Sequence, residues 1–167
     1  MSTAVPARPT VLDATVLSNV AYLNEVPKLQ ILSRPVAVPA VRAEIEAGLD
    51  AYPFLANVVT VLSDTIPVVN VDAEDSALRD ELVDRLDRGE AESLAVAELH
   101  DGLLVTDDGT ARTMARDRGV RLTGTIGVLI ELVDVGEIDV ATADAWLKRL
   151  VDETNYRAPS REFTDYL

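Results

Sequence analysis

The sequence predicts an α/β fold, a three-layer sandwich with a mainly parallel central sheet. Three observations carry this. Short apolar, β-prone runs alternate with segments of helical spacing. Acids stand at the tips of the first and the most apolar of these runs. The length, 167 residues, is that of one domain able to build a core without staples. A single domain over residues 1–167 is therefore expected, with no internal repeat or low-complexity linker.

Pro9–Asp13 is short and apolar, and Ala14–Leu23 then switches to helical spacing with Val16, Val20 and Leu23 on one face, so a strand, an acidic tip and a helix are expected. Residues 26–32 suggest a further helical turn, and Val36–Val38 a short buried strand before Pro39, which suits the first position of a helix reaching about Leu49. A mostly apolar helix is expected over 54–63, and an edge strand over 65–71 because Pro67 interrupts it. Leu78, Leu82 and Leu86 repeat at four-residue spacing up to a break at Gly89, and a second helix runs from Glu90 to about His100 with Leu94, Ala97 and Leu99 inward. Leu103–Thr106 is the clearest buried strand. An arginine-rich helix follows from about Thr110 to Arg118, capped by Gly119. Val120–Leu122 gives a last strand, Gly124–Gly127 a tight turn, 128–135 a helix, and 141–153 a final helix with Leu147, Leu150 and Val151 as its apolar stripe.

Composition removes much chemistry. There are no cysteines and one histidine, so disulfides, thiolate metal sites, thiol nucleophiles and most imidazole catalysis are excluded. What remains is carboxylate with metal, or a hydroxyl without an obvious base. No apolar run approaches the roughly 18 residues of a membrane span, and the first ten residues lack a signal-peptide core, so a cytoplasmic protein is expected. The net charge is -14, and 13 of the 15 basic residues are arginine, the lysines being only Lys28 and Lys148. Acid in excess with scarce lysine suits a protein dissolved in concentrated salt, a halophilic setting.

In open parallel sheets ligands bind beyond the carboxyl ends of the strands, so acids at strand ends and helix starts are the candidates. Asp13 ends the first strand, Asp107 and Asp108 follow the strand at 103–106, Glu90 opens a helix, and Glu44 shares a helix face with small residues. Carboxylates converging on one point stay ionised together only around a cation, and oxygen ligands select Mg²⁺ or Mn²⁺. Each acid also has an ordinary reading: Asp13 and Asp108 as helix caps, Glu44 as a solvated residue beside Arg42 and Glu46, Glu90 as a favourable charge at a helix start. Arg112 and Arg116, one turn apart, suit substrate phosphates or a solvated salt-bridged face alike.

Taken in order, Val11–Leu17, Val38–Glu44, Gly89–Ala97, Leu103–Asp108 with Arg112, and Gly119 leading into Gly124–Gly127 resemble a PIN-domain nuclease, the small stand-alone prokaryotic kind that often serves as the toxin of a toxin–antitoxin pair. The resemblance covers about 9–135, and the rest fits a subgroup with extra C-terminal helices. It implies a metal-dependent endoribonuclease, a hydrolase of RNA phosphodiesters that uses Mg or Mn. Asp13, Glu44, Glu90 and Asp108 would be the catalytic and metal-binding acids, Glu92 and Asp107 the rivals, and Thr15 and Thr106 the small hydroxyls nearby. Arg112 and Arg116 would be phosphate contacts. Homodimers are common in that group, and the apolar stripe of the last helix with Trp146 needs cover. A small antitoxin protein would inhibit by placing a basic side chain in the acidic cleft. The alternative is a catalytically silent PIN fold that binds nucleic acid or protein. A phosphoryl-accepting receiver domain lacks its late lysine here, and a haloacid-type phosphatase lacks the second aspartate two residues after Asp13.

Screening of the excess charge should stabilise the fold, so the melting temperature is expected to rise between low and molar KCl. A flat or falling curve would remove the halophilic reading.

Overall fold

Thr10–Leu12 (β1) runs through the middle of a four-stranded, all-parallel sheet of order β2-β1-β3-β4, in a computed structural model that describes residues 3–167. Residues 1 and 2, part of the leader reading above, lie outside the described residues. The other strands are Pro35–Val36 (β2), Leu103–Val105 (β3) and Arg121–Thr123 (β4). In register, Val11 pairs with Val36 on one side and with Leu104 on the other. Chain order reverses at β1: the first crossover leads outward to β2, and the next returns across β1 to β3. Such a switch point opens a crevice at the carboxyl ends of β1 and β3.

Helices Ala14–Tyr22 (α1), Pro39–Ala47 (α2), Ala56–Asp64 (α3), Ala73–Leu82 (α4) and Arg88–Leu99 (α5) precede β3. Gly109–Asp117 (α6) joins β3 to β4, and Thr125–Asp134 (α7) and Val140–Glu153 (α8) follow. Aspartates start four of them: Asp72, Asp87, Asp108 and Asp139 each accept a backbone N–H in the first turn. Helix α5 is the central one, buried from Ala91 to Ala97 and packed on β1, β3, α2, α4 and α6. Among the described residues, no helix is long and apolar enough to cross a membrane.

Four expectations need correction. Residues 65–71 form no ladder strand; Val68 and Val69 make isolated parallel bridges to Ala37 and Thr3. Pro67 has no N–H to give, and contributes only its carbonyl, 3.1 Å from the Ala37 amide. Gly89 does not break a helix but lies in the first turn of α5, which the Asp87 cap starts earlier. Leu99 is exposed at the end of α5 rather than inward. Gly124–Gly127 is not a tight turn: Gly124 caps α7 and Gly127 lies within it, where a Cβ would fall 1.7 Å from Thr123 Oγ1.

The C-terminal stretch is part of the same core. Leu147 and Leu150 are buried by the chain itself, while Val151 and Trp146 of the same stripe are partly buried. Phe163, fully buried, anchors the segment beyond α8, and its amide donates to Asp144 on α8 at 2.9 Å. Phe163→Ala should therefore cost about 3–5 kcal/mol in urea unfolding; a loss within the scatter of surface substitutions would show that the segment is not held by its plug.

Candidate functional site

Asp13 is the residue around which the crevice is built. It ends β1 and begins α1, yet its side chain makes no cap hydrogen bond. Instead Oδ2 accepts from Thr106 Oγ1 at 2.7 Å and from Thr15 Oγ1 at 3.1 Å. Each hydroxyl has one proton. Thr15 Oγ1 also accepts from the Asp107 amide, and Thr106 Oγ1 from the Asp108 amide, so both protons are directed at Asp13. Oδ1 is buried and has no partner. Burial pushes the Asp13 carboxyl up, against the opposing pull of Thr106 and Thr15.

Glu44 and Glu90 reach the same crevice from α2 and α5. The two helices touch where Gly89 leaves room: a Cβ there would lie 3.6 Å from Glu44 Oε2. Burial, with the charges of Asp87 and Asp13, pushes Glu44 up to about 7. Glu44 is still exposed at the mouth of the crevice, so water and ions reach it. Glu90 is pushed up to about 8, again by burial first, opposed by the Asp87 amide that donates to Oε2 at 3.1 Å, and raised further by Asp87, Asp108 and Asp13. Asp108 spends Oδ2 on capping α6, accepting from the Ala111 amide at 2.9 Å. The four expected acids thus share one electrostatic neighbourhood. Asp87 is a fifth member that the sequence reading missed; its signal was Asp87-x-x-Glu90, a capping-box spacing before an apolar run.

The two rivals stand elsewhere. Glu92, buried, accepts from Arg79 Nη1 at 2.9 Å and from the Ala40 amide at 2.9 Å, so it ties α5 to α4 and to the start of α2. Asp107 accepts from Asn19 Nδ2 at 3.0 Å and from both the amide and hydroxyl of Thr125, which ties α1 to α7. Gly124 permits this: a Cβ there would fall 2.4 Å from Asp107 Oδ1 and 3.0 Å from Arg112 Nη1. Arg112 donates to the Thr106 carbonyl at 2.8 Å, and Arg116 is exposed one turn on.

Among the described residues, three possible ligand atoms come within 4.8 Å of one another only in Asp72, Asp75 and His100. That group can offer a cation three ligands, but hydrogen bonds already account for it. Asp72 and Asp75 form the capping box of α4, and His100 Nε2 lies 3.0 Å from Asp75 Oδ1, joining α4 to the end of α5. It sits ten residues along α5 from Glu90, about 15 Å at the helical rise.

A family model described as a PIN domain, DUF3368, matches residues 9–167. The chain belongs to the PIN-domain family. The match includes the C-terminal stretch as well as the sheet. PIN domains are generally nucleases and usually use divalent metal ions. No individual curated protein matches the chain. In this PIN domain the oxygen donors suit a hard cation in kind, a buried carboxylate with an unpartnered oxygen linked electrostatically to two glutamates that resist losing their protons, although no three of the four expected acids bring ligand atoms within 4.8 Å of one another.

Raised folded-state pKa values favour the protonated forms, so Glu44 and Glu90 stabilise the metal-free fold at low pH and lose that contribution as pH rises through about 7 and 8. Metal-free protein should therefore melt at lower temperature at pH 8.5 than at pH 6, and Glu90→Gln should flatten part of the slope, glutamine being able to keep the capping box. Glu92→Gln should instead destabilise the protein at both pH values, because it removes the buried charge that pairs with Arg79 across α5 and α4 and leaves Arg79 only the exposed Asp80. Equal melting of the two variants at both pH values would overturn this division.

Proposed function

We propose that the protein is a metal-dependent endoribonuclease that hydrolyses RNA phosphodiester bonds, of the kind used as toxins in toxin–antitoxin pairs. The observation that supports this most is Asp13: a buried carboxylate, oriented by two hydroxyls, with one oxygen left free beside two proton-retaining glutamates. Burying such a charge costs stability, and an asparagine could accept the same two hydroxyl hydrogen bonds without that cost.

In this reading Asp13, Glu44, Glu90 and Asp108 hold the ion, and Asp87 keeps Glu90 in place through the capping box. Bound Mg²⁺ or Mn²⁺ supplies an activated water and shields the charge growing on the phosphate. Thr15 and Thr106 aim Asp13 and pull its carboxyl down against the upward push of burial. No side chain serves as a covalent nucleophile, in keeping with the absence of cysteine.

Purified protein should cleave single-stranded RNA with Mn²⁺ and stop with EDTA. Asp13→Asn, Glu44→Gln, Glu90→Gln and Asp108→Asn should each lower the rate by about a hundredfold or more while the protein stays folded, since each removes metal-held charge stabilisation worth several kcal/mol. Folded protein that is inert on RNA with Mn²⁺ would favour the silent binding module instead.

A further inference from the structure

The segment after α8 occupies a position that the acid site alone does not explain. Two cavities open on either side of it. One, about 620 Å³, is lined by Thr15, Glu44 and Asp107, and the other, about 440 Å³, by Arg112, Arg116 and Tyr166. Asp107, Tyr156 and Arg157 border both. The segment is held in place. Tyr156 donates its amide to Thr154 Oγ1, Phe163 is buried in the core, and the Tyr166 hydroxyl exchanges hydrogen bonds with the Ser160 backbone at 2.7 and 2.8 Å.

The charge pattern is equally specific. In a chain of net charge -14, six of the 13 arginines, Arg8, Arg42, Arg79, Arg118, Arg149 and Arg161, find a carboxylate within 4.0 Å among the described residues, and seven do not. Among the described residues, no carboxylate oxygen lies within 4.0 Å of Arg112, Arg116 or Arg157, and these three meet in the second cavity. Arg112 is fixed by its bond to the Thr106 carbonyl, which leaves guanidinium donors over. Tyr156 is half-buried beside them, an aromatic face that borders both cavities.

We propose that Tyr156 and Arg157 are substrate-positioning residues, and that a single RNA strand runs from the acid site past Tyr156 onto a phosphate track of Arg157, Arg112 and Arg116. This rests on the nuclease reading for the identity of the strand. Arginines without carboxylate partners suit phosphates, and an aromatic face beside them suits an unstacked base, which only a single strand offers.

The test is binding without turnover. In the Asp13→Asn background with Mg²⁺, a labelled oligouridylate of about 12 nucleotides is titrated by fluorescence anisotropy at several salt concentrations. Arg157→Ala should weaken binding and lower the slope of log K against log salt by about 0.7, and Arg157→Lys should restore most of the slope. Tyr156→Leu should weaken binding about fivefold or more, and Tyr156→Phe should not. An unchanged constant and slope for Arg157→Ala, or duplex RNA bound as tightly as the single strand, would overturn the proposal. If the unsubstituted protein fails to cleave but Arg157-dependent binding persists, the nuclease reading falls and the track stands. Intact cleavage with Arg157-independent binding means the reverse.

Discussion

One buried carboxylate organises the molecule. Asp13 stands where the chain leaves the central strand, and the two hydroxyls that hold it belong to α1 and to the end of β3. Those hydroxyls in turn accept the amides of Asp107 and Asp108, so the geometry of the loop after β3 is set by what Asp13 requires. From that loop Asp107 reaches α7 and α1, and Asp108 starts α6. Three helices and two strands are thus referred to one oxygen atom.

Adjacent acids divide the labour. Of Glu90 and Glu92, the first faces the crevice and the second fastens three helices; of Asp107 and Asp108, the first fastens two helices and the second lies in the acidic neighbourhood. Two residues along a helix is about 200° of rotation, so Glu90 and Glu92 cannot share a task. The fastening acids have their charge answered by arginine or by hydrogen bonds, while the crevice acids answer chiefly to one another.

The alternation of apolar runs with helical spacing was enough to place every strand of the sheet and the acids at its carboxyl edge, because those features are local in sequence. Residues 65–71 were misjudged because their pattern is that of a strand while Pro67 removes the ladder donor, and the outcome depends on partners distant in sequence. The helix start at Gly89 and the helix over Gly124–Gly127 depended on caps and close approaches that glycine spacing does not reveal. Asp87 was hidden by its ordinary appearance as a cap, and the role of Glu92 by a partner, Arg79, thirteen residues away. Tyr156 and Arg157 carry no local signal at all; their position comes from Phe163 fastening the chain beyond them.

The crowding at the crevice also bears on how such a chain would drift over generations. A copy released from selection for activity gains stability from neutralising Asp13, Glu44 or Glu90, whereas changing Glu92 or Asp107 unfastens helices. Decay would then begin at the crevice and leave the fastenings untouched. The cost falls on Asp13, Glu44 and Glu90, whereas Asp108 also caps α6 and would be the last of the crevice acids to be lost without penalty to the fold.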